Sequence, residues 1–314
     1  MGKFKTALLA SVMVFGGLST ASAGEIAVIV KTVNSTFWQN VQKGADAAIA
    51  EAKGEHTMTF QGPASESAIA DQVNMVENAV NRKVDAILLA PSDPDALVPA
   101  VKKAWEARIP VVIIDSQLAS GAEKYYQSFL ATDNKKAGEL AAKALIDKVG
   151  TTGKIAVMSY VAGAGSEINR VGGFTDYIKA NSKLEIVGPY YSQSQMATAL
   201  NQTTDVLAAN SDLKGIFGAN EPTAIGMGRA IKQAGKAGKV TAIGFDGNQD
   251  LQEFVKDGTL AATVVQGSYQ MGDIGVATLL KLLNKEKVEK TIDTGVVVVT
   301  KDNVDKPEAK NVLY

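Results

Sequence analysis

Short apolar runs alternate with helical patterns along this chain from residue 26 onward. Residues 26–30, 85–89, 111–114, 155–158, 215–217 and 240–244 read as buried parallel strands, because a strand covered on both faces is apolar throughout instead of alternating. Between them, Val41, Ala45, Ala48, Ile49 and Ala52 recur at three- and four-residue spacing, as do Ala137, Leu140, Ala141, Ala144 and Leu145, which predicts helices with one apolar face. Strands alternating with helices imply right-handed crossovers and a parallel sheet covered on both sides. The fold class is α/β.

About a dozen strands would make one sheet unusually wide, so two sheets of about six are expected. The first set runs to about Ala131. A helix over 134–149 and a Gly/Thr loop at 150–153 lead into the second, which resumes at Lys154. The tail offers one more strand at 295–300 and is read as irregular from Val304.

The segment before the first strand changes the picture of where the protein works. A basic start (Lys3, Lys5), an apolar stretch from Ala7 to Leu18 and the small residues Ala21-Ser22-Ala23 read as a secretory leader cleaved before Gly24. The apolar run is shorter than the roughly 20 residues a bilayer span needs. The chain has no cysteine, which removes disulfides and a lipid-anchored cysteine. Export without an anchor predicts a periplasmic protein that does not insert into the membrane. Roughly 290 residues then remain, long enough to favour two domains. Without Lys3 and Lys5 the formal charge goes from -1 to -3, and bases and acids are interspersed, which argues against nucleic acid as a partner.

Candidate chemistry sits at the strand ends. The first strand runs into Lys31-Thr-Val-Asn-Ser-Thr-Phe37-Trp38, and others end in Asp115, Asn220, Phe245-Asp246 and Gln266. Open α/β sheets form their ligand crevices at the carboxyl ends of strands. There a carboxylate accepts hydroxyl hydrogen bonds, an amide donates and accepts, and aromatic rings cover the C–H face of a sugar. Each position also has a purely structural reading. Asp115 and Asp246 serve equally well as helix caps, Phe37 and Phe245 as core residues, Lys31 as a lysine snorkelling to solvent, and Arg170 as part of a solvated helix face. Trp105 is expected in the core. Asp93 and Asp95, flanking Pro94, read as caps at a helix start. With one histidine, His56, and no cysteine, a zinc site of the usual ligands is not expected, and Gly-x-Ser-x-Gly and Walker-type loops do not occur.

The residues Lys31 to Trp38, Ala90-Pro-Ser-Asp-Pro-Asp-Ala-Leu97, Ile114-Asp115, Ala219-Asn220-Glu221, Gly244-Phe245-Asp246-Gly247 and Gln266 together resemble the periplasmic solute-binding proteins for ribose, allose and related sugars, which serve ATP-driven import. The resemblance implies two lobes, 24–131 plus 267–294 and 132–266 plus 295–314, joined by three crossings near Ala131, Gln266 and Gly295. It implies that Phe37 and Trp38 sandwich the ligand beside Lys31 and Ser35, and that Asp115 accepts sugar hydroxyls. From the second lobe it implies Arg170, Asn220, Asp246 and Gln266, with Phe245 beside them. Ala90, Ser116 and Ser194 depart from the ribose type, which has an amide, an arginine and an aromatic there. A different pentose, a hexose or a polyol is therefore implied.

The expectation is a monomeric receptor, needing no cofactor, catalytic residue or metal, that closes on its ligand and docks on an ABC-type permease. Its rivals are a secreted carbohydrate-active enzyme using Asp115 and Asp246 as acid and base, and a carrier for a furanone signal or a chemotaxis ligand.

Overall fold

A computed structural model describes residues 24–52, 54 and 56–314; the leader expected at residues 1–23 lies outside them. The first six elements are β1 (Gly24–Ile29), α1 (Thr36–Glu51), β2 (His56–Gln61), α2 (Ile69–Arg82), β3 (Ala86–Leu89) and α3 (Val98–Glu106). Then β4 (Val111–Ile114) and β5 (Ser128–Ala131) complete a parallel run in which Val28 sits level with Phe60 on one side and Leu88 on the other. The chain crosses to a second sheet through α4 (Asn134–Val149), β6 (Thr152–Ser159), α5 (Gly165–Asn181), β7 (Lys183–Tyr191), α6 (Met196–Ala209), β8 (Leu213–Gly218), α7 (Glu221–Gln233), β9 (Thr241–Phe245), α8 (Gln249–Asp257) and β10 (Ala262–Gln266). It returns with α9 (Ser268–Leu283) and β11 (Thr291–Asp293), then crosses once more to β12 (Val296–Val299) and α10 (Pro307–Lys310).

The two six-stranded sheets have the orders β11-β5-β4-β3-β1-β2 and β12-β10-β9-β8-β6-β7. Both are parallel apart from β12, which runs antiparallel to β10. Each sheet is covered on both faces, since two separate apolar clusters flank it in each lobe, as all-parallel sheets require. In both orders the direction of winding reverses beside the first strand, between β1 and β3 and between β6 and β8, and such switch points open a crevice at the strand carboxyl ends. The two crevices face each other.

Two helix crossings set how closely each lobe packs beside that cleft. α1 meets α9 at Gly44 and Gly272, and α4 meets α5 at Gly138 and Gly173. A Cβ at Gly138 would overlap the carbonyl oxygen of Arg170, so only a residue without a side chain lets α5 lie against α4 at this depth.

Several expectations are corrected here. Trp105 is 47 % exposed, edge-on to Tyr125; Ala100, Val101 and Ala104 form the buried stripe of α3, and the next position turns away from it. The α3 helix begins at Val98, so Asp93 caps no helix and instead accepts the amides of Asp95 and Ala96 in the preceding turn. The tail past Val304 is not wholly irregular, because α10 forms there. The edge strand β7 gives little sequence signal, being mostly part-exposed.

Candidate ligand-binding site

The sequence after β1 sets the first wall. Ser35 has extended backbone, and its hydroxyl accepts the amide of Trp38 at 3.4 Å, an N-cap that starts α1 and puts Phe37 and Trp38 in its first turn. Their rings meet edge to face with centroids 4.8 Å apart, and the indole Nε1 donates to Glu66 Oε1 at 2.9 Å. Lys31 does not snorkel. It is 2 % exposed and its ammonium lies 2.7 Å from Asp115 Oδ2, donating also to Ser116 Oγ at 2.6 Å and to Ser166 Oγ of the other lobe at 3.3 Å. A lysine after a buried strand is tolerated because its charge is paired and hydrogen-bonded.

Asp115 and Asp246 do not cap the helices that follow their own strands. Both have left-handed backbone, φ 63° and 76°, which turns the chain at the end of β4 and of β9; the cap after β9 is Asn248. Asp246 accepts Gln266 Nε2 and the Glu221 amide, both at 2.8 Å. Burial pushes its carboxyl up to about 7, with the Arg170 guanidinium and Gln266 opposing.

Arg170 lies in α5 and is 2 % exposed, so it is not part of a solvated helix face. Its guanidinium donates to Asn134 Oδ1 at 3.0 and 2.7 Å, to the Ala219 carbonyl at 2.8 Å and to Gln266 Oε1 at 3.1 Å. It also lies 3.7 Å from the Phe245 ring centroid, a geometry in which the ring quadrupole attracts the cation. Asn220 plays two parts: its Oδ1 caps α7 through the Thr223 amide, and its Nδ2 donates to Ser194 Oγ at 2.9 Å. Tyr160 donates to Ser166 Oγ at 2.9 Å, its phenol pushed well up by burial.

These groups line one chamber between the lobes, formed by Lys31, Ser35, Phe37, Trp38, Glu66, Asp115, Tyr160, Ser166, Arg170, Asn220, Glu221, Pro222, Asp246 and Gln266. Of the side chains expected from sequence, only Phe245 is not on its wall. That ring is fully buried behind Arg170, in the second-lobe core. Sequence reasoning missed Glu66, Tyr160, Ser166, Glu221 and Pro222 as lining residues. Tyr160 and Glu221 follow directly on a strand end or its cap, a signal that could have found them; Glu66 lies in the loop between β2 and α2 with no local mark.

The lobes also touch each other directly. Thr36 donates to Glu221 Oε2 at 2.8 Å, Ser194 to Glu66 Oε2 at 2.6 Å, and the Ser166 amide to Ser116 Oγ at 3.2 Å. Burial raises the Glu221 carboxyl, while hydrogen bonds from Thr36, from Tyr314 and from the amides of Phe37 and Thr36 oppose the rise. Among the described residues no cluster of His, Cys, Asp and Glu is placed to hold a metal ion, and no helix is long and apolar enough to cross a membrane.

What the arrangement offers is hydrogen-bond donors and acceptors of both signs around a small interlobe space, with the Phe37 and Trp38 rings from one lobe and the Tyr160 ring from the other. Residues 26–287 match the family described as periplasmic binding protein domain. The D-allose-binding periplasmic protein of Escherichia coli (strain K12) is 32 % identical over 279 residues, spanning 87 % of this chain and 88 % of that protein. An ABC transporter solute-binding protein from Agrobacterium vitis, solved with bound D-fucose, is 90 % identical and superposes with a TM-score of 0.92, covering 93 % of this chain and 100 % of that one. A carbohydrate transporter solute-binding protein from Agrobacterium radiobacter, in complex with D-arabinose, is 34 % identical with a TM-score of 0.89, covering 94 % of this chain and 100 % of that one.

Proposed function

The chain belongs to the periplasmic binding proteins, and from that premise we propose that it captures a monosaccharide, D-fucose or a sugar of the same ring configuration, between its two lobes and hands it to an ABC-type importer. The observation that carries this reading is that Lys31, Trp38 and Asp115 from one lobe and Arg170, Asn220, Asp246 and Gln266 from the other line a single chamber. A ligand held by both lobes binds the closed form more tightly than the open one and so shifts the equilibrium toward closure. The three chain crossings act as the hinge of that motion.

The chemistry suits a neutral sugar. Charged groups bonded to hydroxyls contribute roughly 1.5 to 3 kcal/mol each, and Asp115, Asp246 and Arg170 each turn a polar edge to the chamber. Phe37 and Trp38 offer apolar surface to the ring C–H groups and to the methyl that D-fucose carries where D-galactose has a hydroxymethyl. The 90 % identical D-fucose complex supports that ligand, and the departures from the ribose type at Ala90, Ser116 and Ser194 argue against ribose itself. Reversible capture breaks no bond, and Asp115 Oδ2 is already engaged by Lys31 and Ser116, a poor position for one half of a hydrolytic acid and base pair.

The test is calorimetry and thermal unfolding of the mature protein with D-fucose, D-galactose, L-arabinose and D-ribose. D-Fucose should bind most tightly, raise the melting temperature by several degrees at saturation and be recovered unchanged. No binding by any of the four would overturn the reading.

A further inference from the structure

Beyond the chamber, on the same interlobe cleft, lies a second and larger cavity of about 330 Å³. Four residues line both cavities and so form the partition between them: Ser35, Glu66, Glu221 and Pro222. Ser35 is fixed by capping α1, and Pro222 by its place in the first turn of α7. Glu221 is clamped by Thr36 and Tyr314. Glu66 differs from these, because it comes from a loop and is held only through its own carboxylate. One oxygen accepts the Trp38 indole at 2.9 Å and the other the Ser194 hydroxyl at 2.6 Å, and Ser194 accepts Asn220 Nδ2 in turn. A continuous polar chain thus joins the aromatic wall of one lobe to an amide of the other. Glu66 is its middle link, 8 % exposed.

We propose that Glu66 is a specificity-determining residue: tied to Trp38 and Ser194, it closes the partition, fixes the plane of the indole and limits the ligand to a bare monosaccharide. Sugars bearing a substituent that would pass into the outer cavity are refused because the carboxylate occupies the way through. A smaller side chain at this position joins the two cavities and releases the indole. The inference rests on the sugar-capture reading above, since it assigns selectivity to that same chamber.

The experiment compares wild type, Glu66→Ala and Glu66→Gln by calorimetry against D-fucose, the α- and β-4-nitrophenyl D-fucopyranosides and 6-O-methyl-D-galactose, which extend the sugar at either end. In a Trp105→Phe background, which leaves Trp38 as the one tryptophan, indole emission is read in parallel. Wild type should prefer D-fucose over every substituted sugar by a hundredfold or more. Glu66→Ala should cut that preference at least tenfold for one of them and shift Trp38 emission to the red. Glu66→Gln, equal in length, should keep the preference. A preference unchanged in Glu66→Ala, with D-fucose still bound, overturns the partition role while leaving the sugar reading intact; so does a wild type that takes substituted sugars as readily as D-fucose. Loss of D-fucose binding by wild type itself would instead sink the underlying reading. If Glu66→Ala does not fold, Glu66→Thr clears the same way with a shorter polar side chain, and an unchanged preference there overturns the proposal equally.

Discussion

Thr36 of the first lobe donates its hydroxyl to the Glu221 carboxylate of the second across 2.8 Å. Glu221 is 3 % exposed, opens α7, and faces the first amides of α1 on the opposite lobe. A carboxylate at a helix N-terminus interacts favourably with the unpaired amides and the helix dipole, and here the helix and the carboxylate belong to different lobes. Tyr314, four residues after α10 ends, adds a phenol donor at 2.9 Å. The contact exists only when the lobes are together, so it contributes to closure apart from any sugar.

Glu221→Gln should therefore weaken D-fucose binding by about three- to tenfold, corresponding to the roughly 1 kcal/mol typical of a charge at a helix terminus. Small-angle scattering of the ligand-free variant should show a larger radius of gyration than wild type. Equal affinity and equal radius would remove Glu221 from the closing contact.

Asp115 and Lys31 form a buried ion pair at 2.7 Å. Removing one member of such a pair strands the other, at a cost of about 3 to 5 kcal/mol in stability. Lys31→Met is expected to lower the melting temperature by several degrees or more and to abolish sugar binding. The double variant Lys31→Met with Asp115→Leu should recover much of the stability but none of the binding. A single variant as stable as wild type would contradict the pairing.

Asp246 makes binding depend on pH. Its carboxyl is raised to about 7 in the unliganded protein, so below that pH it is mostly protonated. A hydroxyl donating to the ionised form favours release of the proton. Affinity for D-fucose should then fall about tenfold between pH 8 and pH 6, with a proton released on binding, detectable as a buffer-dependent enthalpy. For stability the sign is opposite. The folded state holds a proton that the unfolded chain has lost, so the unliganded protein loses stability as pH rises from about 4 to 7. Asp246→Asn should flatten both profiles, and a profile that keeps its slope in that variant would assign the proton to another group.

Gly138 sets the position of Arg170 through a helix crossing. Gly138→Ala forces apart α4 and α5 at the Arg170 carbonyl and is expected to cost about 1 to 3 kcal/mol, with a loss of sugar affinity larger than that seen for alanine at the half-buried Gly172, where an added Cβ would meet nothing. Unfolding midpoints in urea and calorimetry read the two effects. A neutral Gly138→Ala would mean that the crossing tolerates a wider separation than its geometry indicates.

The chamber is partly legible in the sequence. Lys31, Asp115, Asn220, Asp246 and Gln266 stand at or just after apolar runs, Trp38 opens the helix that follows the first of them, and in a parallel sheet the ends of those runs point the same way. Phe245 stands at such an end too, yet its ring backs Arg170 from the core, because alternate strand residues point to opposite faces and sequence does not say which face is which. Trp105 failed for a related reason. Its spacing from Val101 suits a helix face, but the stripe that packs is made of small residues, and a tryptophan beside them turns outward. Glu66 left no trace, since its loop has neither period nor cap and its partners are Trp38 and Ser194, 28 and 128 residues away.

By itself the sequence determined the α/β class, the two sets of strands, the strand-end chemistry and the resemblance to sugar receptors, because periodicity, strand termini and local motifs are properties of neighbouring residues. Tertiary structure alone decided which of those side chains share a chamber, that Lys31 is paired and not solvated, that Arg170 is braced by Asn134 and Phe245, and that Glu66 and Glu221 bridge the lobes. The physical reason is that burial, pairing and closure depend on distances between residues far apart in the chain, and those distances are set only when two sheets and their helix crossings are packed together.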